Sequence, residues 1–245
     1  MQPIDYSAQM HDHPLATAIV LAAGRGERMR PLTDTCPKPL LPVHGKPLLQ
    51  WHLQALAGAG VSHAVINTAW LGDQIEQAFG AASPEGLRLT YSHEGRDFGG
   101  ALETAGGIAR VLPQLADVFW VVAGDVYMPG FTFEPAALAR FAAGTALAHL
   151  VLVPNPPHNP RGDFGLTPQG MALNHEEQRY TYSTVGLYRQ ALFASLPSGN
   201  PQGLKAPLAP LLRAAIDNAC VTAEIWHGPW TDVGTPERLA QLNAA

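Results

Sequence analysis

Lys38 stands between Pro37 and Pro39, shortly after the stretch LAAGRGERMR, where Gly24 and Gly26 bracket Arg25 and are followed by Arg28 and Arg30. These residue types at this spacing suit a polyanion. Glycine lets backbone N–H groups approach a ligand closely. Guanidinium forks match phosphate oxygens. Proline fixes φ, so the ammonium of Lys38 is presented from a stiff segment. A triphosphate would satisfy all of these features; a solvated basic loop is the bland alternative. Two common phosphate motifs are absent. The dinucleotide fingerprint G-x-G-x-x-G fails because Met29 stands at the third glycine position, and no G-x-x-x-x-G-K-S/T string occurs.

Two carboxylates carry a second kind of chemistry. Asp125 closes VVAGD and Asp232 lies in WTDVGT. Mg²⁺ prefers a few carboxylates together with phosphate oxygens and water, so two aspartates from separate loops suit one such ion. For either aspartate alone, a turn or N-cap role is the competing reading. Among the ten histidines, His11 and His13 have H-x-H spacing but lie in the first sixteen residues, and no H-E-x-x-H occurs. Most histidines read as surface or packing residues, and Trp51, Trp70 and Trp120 as core.

The elements that must hold these residues follow from periodicity. TAIVLAA (Thr17–Ala23) reads as a buried strand feeding the glycine loop. A helix is predicted over Pro47–Gly60, a strand over His63–Ala69, a helix over Leu71–Gly80 and a strand over Leu87–Ser92. Ala101–Leu115 reads as a helix after a glycine turn, and Val118–Met128 as a buried strand leading into Gly124 and Asp125. Such alternation implies βαβ units with right-handed crossovers. The second half changes character: AHLVLVPNP, FGLTPQGMAL and YTYSTVGLYRQ read as strands in a partly antiparallel arrangement. A helix over Leu208–Ala219, a strand VTAEIWHG and a last helix, with Thr235 as N-cap and Pro236 at its first position, complete the chain. The expected fold is α/β: a Rossmann-like, open, mixed but mostly parallel sheet with helices on both faces. Ligands of such sheets sit outside the carboxyl ends of the strands, where Asp125 falls.

Size and composition bound the possibilities. The 245 residues, 47% of them hydrophobic, can bury a substantial core. Residues 17–245 read as one domain, with residues 1–16 as a poorly ordered extension lacking the features of a secretory signal. The formal net charge of -5 argues against a general nucleic-acid binder. No apolar run of membrane-spanning length occurs, so no membrane association is expected. The two cysteines, Cys36 and Cys220, give neither a disulfide framework nor a zinc pattern. They fit a reduced, cytoplasmic setting. Oligomeric state is not encoded in any recognisable feature.

LAAGRGERMRPLTDTCPKPL resembles the signature of the sugar-1-phosphate nucleotidyltransferase family, and the resemblance extends from about Thr17 to the C-terminus. It implies the glycosyltransferase-A-like nucleotidyltransferase fold. It also implies that the loop wraps a nucleoside triphosphate, carried over to Leu21, Ala22, Ala23, Gly24, Arg25, Gly26, Glu27 and Arg28, with Lys38 against the phosphates. ETAGG adds Leu102, Glu103 and Gly106 to the nucleotide side; close approach of a base or sugar would explain Gly106 and Gly107. Lys38, Arg28 and Asp125 become the catalytic candidates, and Asp125 and Asp232 the Mg²⁺ ligands.

INTAWLGDQIE, YSHEG, LETAGGI, HLVLVPNPPHNPRGDF and GPWTDVGTPERL resemble a branch of short bacterial uridylyltransferases acting on N-acetylmuramate 1-phosphate in cell-wall recycling. UTP and that sugar phosphate are the substrates the resemblance implies. Ala123, Asp163, Arg161 and Lys205 are the acceptor-side candidates, the two cations as partners for a lactyl carboxylate. Three departures stand out. Ala123 replaces an asparagine more usual before the G-D pair and cannot hydrogen-bond through its side chain. Ala105 replaces a glycine. The spacing in LKAPLAPLL is longer than the family's.

Alternatives remain open at this level. Relatives use mannose, glucose or N-acetylglucosamine 1-phosphate, or phosphocholine, with UTP, GTP, dTTP or CTP. A glycosyltransferase would also place an aspartate at a strand end, and a non-catalytic nucleotide-sugar sensor would share the loop.

Overall fold

In the computed structural model, which describes residues 16–244, the apolar run TAIVLA forms β1 (Thr17–Ala22). A short hairpin follows the loop, β2 (Pro42–Val43) and β3 (Lys46–Pro47), and leads into α1 (Leu48–Gly58). Then come β4 (His63–Thr68), α2 (Gly72–Phe79), β5 (Arg88–His93), α3 (Glu94–Phe98) and α4 (Glu103–Val111). The next segment holds β6 (Val118–Ala123), β7 (Val126–Tyr127), α5 (Pro135–Ala143) and β8 (Ala148–Val153). The last third holds β9 (Gly165–Leu166), β10 (Ala172–Leu173), β11 (Thr181–Arg189), α6 (Leu208–Asp217), β12 (Val221–Ile225), β13 (Thr231–Asp232) and α7 (Pro236–Ala244).

Seven strands form the main sheet in the order β12-β8-β11-β6-β1-β4-β5. β1 pairs parallel with β4 and β6, β4 with β5, and β12 with β8. β11 pairs antiparallel with both β6 and β8, so it is the one strand of the seven that runs against the rest. The mixed, mostly parallel α/β sheet expected from the sequence is present. Strand period two divides the core between its faces. Ala18, Val20 and Ala22 of β1 pack with Leu49, Leu53 and Leu56 of α1, Ile75 of α2 and Phe141 of α5. Ile19 packs on the other face with Ile108 and Val111 of α4 and with Leu212, Ala215 and Ile216 of α6. Both faces are therefore covered by helices, as parallel strands require.

Some expectations need correction. Val118–Met128 is not one strand. β6 stops at Ala123 because the chain turns at Gly124, whose N–H donates to Leu21 O (2.8 Å), and resumes as β7 against β13. α3 and α5 were not foreseen. The FGLTPQGMAL segment supplies only the two-residue strands β9 and β10. The predicted extension 1–16 lies, apart from Ala16, outside the described residues, as do His11 and His13. Among the described residues, no helix is long and apolar enough to cross a membrane.

Candidate active site

After β1 the chain enters three successive 3-10 turns, Glu27–Met29, Leu32–Asp34 and Lys38–Leu40. Gly26 has φ 68°, a conformation glycine adopts without strain, and a Cβ there would come within 3.0 Å of the Thr33 methyl. Thr33 Oγ1 donates to Gly26 O at 2.8 Å and closes the turn. Gly24 differs: a Cβ there would meet nothing within 4 Å, so its openness faces the cavity it lines.

The loop arginines divide into two roles. Arg25 donates to Thr33 O (2.8 Å) and Asp34 Oδ1 (3.1 Å), and its guanidinium lies 3.7 Å from the Trp70 ring centroid. Trp70 Nε1 donates to the same Thr33 O at 2.8 Å. Arg30 Nε donates to Asp34 Oδ1 at 2.8 Å. These contacts hold the Asp34 carboxyl below its usual range, the Arg25 hydrogen bond first among the causes. Arg25 and Arg30 thus spend their forks on the loop itself, and half-buried Trp70 is a loop clamp rather than a core residue. Arg28 is exposed, lines the cavity and, among the described residues, makes no hydrogen bond or ion pair. Met29, the residue that spoiled the dinucleotide fingerprint, is fully buried with Leu41, Val43, Leu48, Val233 and Leu239 and anchors the loop from beneath.

Lys38 begins the third turn. Only 9% of the residue is exposed, and Nζ reaches Asp125 Oδ2 at 2.6 Å. Asp125 follows β6 after the turn residue Gly124. Its backbone oxygen accepts from Val233 N (2.8 Å), and β7 pairs Val126 with Asp232 of β13, so two aspartates 107 positions apart in sequence stand on neighbouring strand ends. Asp232 Oδ2 pairs with Arg238 of α7. His158 Nε2 lies 2.7 Å from Asp232 Oδ1, which is buried and accepts no hydrogen bond among the described residues. A buried carboxylate oxygen with an open lone pair, beside a second carboxylate 42% exposed, is a hard-oxygen donor set that fits a small divalent cation.

These groups open on a cavity of about 810 Å³. Leu21, Ala22, Gly24, Gly26, Glu27 and Arg28 reach its wall from the loop side. Lys38 reaches it from the third turn, Ala123 and Asp125 from the end of β6, Glu103 from the start of α4, and Asp163 from the loop before β9. Asp163 Oδ2 accepts from Tyr182 N (2.8 Å) and Asn159 Nδ2 (3.2 Å), which leaves Oδ1 without a partner among the described residues. Two of the non-glycine residues with positive φ, Glu103 (60°) and Thr184 (64°), stand on this wall. Strain of that kind concentrates at functional sites.

Other expected residues are not on the wall. Ala23, Leu102 and Gly106 are buried behind it, Arg25 is spent on the loop, and Asp232 stands one strand back, with Gly234 lining instead. Arg161 and Lys205 are exposed and off the wall. A Cβ on Gly106 would collide with the Leu204 backbone oxygen, and one on Gly107 would fall 2.6 Å from Glu94 Oε1. Close approach of protein atoms, not of a base or sugar, accounts for both glycines.

That Glu94 was missed by sequence reasoning. It is fully buried. Oε1 accepts from Asn67 Nδ2 (2.8 Å) and Oε2 from Leu102 N (2.8 Å), while Asn67 Oδ1 accepts from Ala22 N (2.8 Å). Burial pushes its carboxyl above the ordinary range, against the pull of these hydrogen bonds. One buried carboxylate, acting through Asn67, therefore ties the end of β1 to the start of α4. Tyr182, Thr184 and Arg213 on the wall were missed as well, because each sits in a segment that patterning reads only as strand or packing helix.

With the geometry described, the relatives can be set beside it. The model of the nucleotidyl transferase family matches residues 17–245. An N-acetylmuramate alpha-1-phosphate uridylyltransferase of Neisseria meningitidis is 48% identical over 93% of this chain and 96% of its own length. A mannose-1-phosphate guanylyltransferase of Mycobacterium tuberculosis is 30% identical over 93% of this chain but 63% of its own, longer chain. A Bacillus anthracis structure described as a glucose-1-phosphate thymidylyltransferase, solved with sucrose, superposes with a TM-score of 0.77 at 21% identity, covering 94% of each chain. That likeness establishes the fold.

Proposed function

We propose, for a chain that belongs to the nucleotidyl transferase family, that it transfers the uridylyl group of UTP to N-acetylmuramate 1-phosphate. The products are UDP-N-acetylmuramate and pyrophosphate, and the role is cytoplasmic salvage of a cell-wall sugar. The observation that carries this reading is one cavity joining the Gly24–Arg28 loop, Lys38 and Asp125 to Asp163, in a chain 48% identical to an enzyme of that name.

The chemistry follows from the charges. A phosphate oxygen of the sugar 1-phosphate attacks the α-phosphorus of UTP. The new O–Pα bond forms as the bond from Pα to the bridging oxygen breaks, and pyrophosphate departs with that electron pair. The nucleophile is an anion near neutral pH, so no general base is needed. Negative charge must be neutralised at Pα and on the leaving group, which is work for positioned cations. Arg28, on the wall and without a partner among the described residues, suits the leaving phosphates. Lys38 suits the α-phosphate, since its ammonium is already held at the strand end where transfer would occur. Asp125 and Asp232 would hold Mg²⁺, which when bound supplies further neutralisation of the phosphates. Asp163 Oδ1 suits a sugar hydroxyl as acceptor.

A second reading keeps the transfer and changes the sugar phosphate. It is favoured by Ala123, whose methyl offers no hydrogen bond on the wall. The test is pyrophosphate release with Mg²⁺, each of four nucleoside triphosphates and a panel of sugar 1-phosphates. Release confined to UTP with N-acetylmuramate 1-phosphate is expected. Release with another pair would install the second reading. No release with any pair would turn the assignment toward a glycosyltransferase or a nucleotide-sugar sensor.

A further inference from the structure

Among the described residues, three cationic side chains line the cavity: Arg28, Lys38 and Arg213. The first two belong to the phosphate side. Arg213 belongs to α6 and stands with Asp163, Phe164 and Tyr182. In the sheet, β11, which carries Tyr182, lies two strands from β1. At ~4.8 Å per strand that is about 10 Å from the strand that feeds the phosphate loop. The separation suits the sugar ring of an acceptor whose phosphate meets the nucleotide near Asp125.

The Arg213 guanidinium lies 5.4 Å from the Phe164 ring centroid, and Nη1 donates to Asn174 Oδ1 at 3.4 Å. Asn174 is itself fixed, Nδ2 donating to Arg213 O (2.8 Å) and to Asp217 Oδ1 (2.7 Å). Ring and amide steady the fork on the wall, but no carboxylate of the described chain pairs with it. An arginine so placed lacks an acidic partner, and a planar carboxylate matches its fork bidentately. Arg161 and Lys205, the cations nearest in sequence to the acceptor motifs, do not reach the wall.

We infer that Arg213 is a specificity-determining residue that reads an acidic substituent on the acceptor sugar. On the functional reading above, on which this inference rests, that group is the lactyl carboxylate of N-acetylmuramate 1-phosphate. N-acetylglucosamine 1-phosphate has the same ring without it. A sugar phosphate bearing only hydroxyls would leave the guanidinium unused.

The experiment compares wild type with Arg213→Ala and Arg213→Lys. Three quantities are measured: KM for N-acetylmuramate 1-phosphate, KM for UTP, and the inhibition constant of N-acetylglucosamine 1-phosphate. In Arg213→Ala the acceptor KM is expected to rise about 10- to 100-fold, the range for a charge-assisted hydrogen bond. KM for UTP and the inhibition constant should stay within about threefold, and Arg213→Lys should recover part of the loss. A loss shared by UTP, or by the sugar phosphate that lacks the carboxylate, overturns the inference, as does no change in the acceptor KM. Wild type that fails to use N-acetylmuramate 1-phosphate overturns the functional reading instead, so the two failures are separable.

Discussion

The side of the cavity proposed for the phosphates and the side proposed for the acceptor are built in opposite ways. The phosphate side is nearly one piece of chain, Leu21 to Leu41, folded back on itself by its own side chains. Arg25, Arg30, Thr33 and Asp34 close it, Trp70 clamps it and Met29 pins it from beneath. The wall proposed for the acceptor is assembled from Asp163, Tyr182, Thr184 and Arg213, which come together only when β11 and α6 dock. A self-contained loop can be kept while the assembled wall varies. Such a division would let one transfer chemistry serve several sugars.

The largest expected effect lies on the phosphate side. Lys38→Ala should lower turnover roughly a hundredfold or more, as the loss of one transition-state cation typically costs about 2.7–4 kcal/mol. Steady-state pyrophosphate release measures it. An effect on acceptor KM alone would break the contrast between the two sides.

The next effect is on stability under acid. His52 is buried, and its Nε2–H donates to Val126 O at 2.8 Å, one residue from Asp125. Burial drives its pKa from 6.5 down to about 4, against the raising effects of that hydrogen bond and of Asp125. The unfolded chain then takes up a proton that the folded chain refuses. The contribution is fully present above pH 6.5 and is lost as pH falls toward 4. At about 1.36 kcal/mol per pH unit that amounts to about 3 kcal/mol. Urea unfolding across this window should show the slope in wild type and a flatter profile in His52→Gln. Equal slopes would remove His52 as the source.

Asp232→Asn should raise the Mg²⁺ concentration for half-maximal activity more than about tenfold, since even outer partners of a metal site are worth 10–100-fold. An unchanged requirement would remove Asp232 from the metal site. The smallest effect sharpens the contrast. Arg25→Ala loses two partly solvated hydrogen bonds and a stacked cation, together about 1–2 kcal/mol. It should lower the thermal midpoint and raise KM for UTP several-fold while leaving the acceptor KM in place. A shift in the acceptor KM would show that the loop is not self-contained.

The same contrast explains what could be read from the sequence. The loop was legible because its residues are contiguous and each type has a local reason to be there: Gly26 for its φ, the prolines for stiffness, Lys38 for charge. β1, β4, β6 and the amphipathic α2 and α6 were legible from periodicity. The roles of Arg25 and Arg30 were not, because a guanidinium suits a neighbouring carboxylate as well as a phosphate: Arg30 takes Asp34 four residues on, and only the fold brings Trp70 to Arg25. Gly106 and Gly107 were misread for a related reason. A glycine signals close approach, but not of what, and here the neighbours are Leu204 and Glu94. The acceptor wall was the least legible. Arg161 and Lys205 were chosen for their nearness in sequence to motifs, whereas Arg213 comes to Asp163 through packing of α6 on the sheet, which no local pattern records.

The central claim is that the nucleotidyl group itself moves to the acceptor. UTP labelled at its α-phosphate, incubated with the wild-type protein, Mg²⁺ and N-acetylmuramate 1-phosphate, tests it most directly. The account predicts that all transferred label appears in a UDP-sugar and that the released pyrophosphate carries none. Label remaining in UTP, or appearing in UMP without a sugar product, would contradict it.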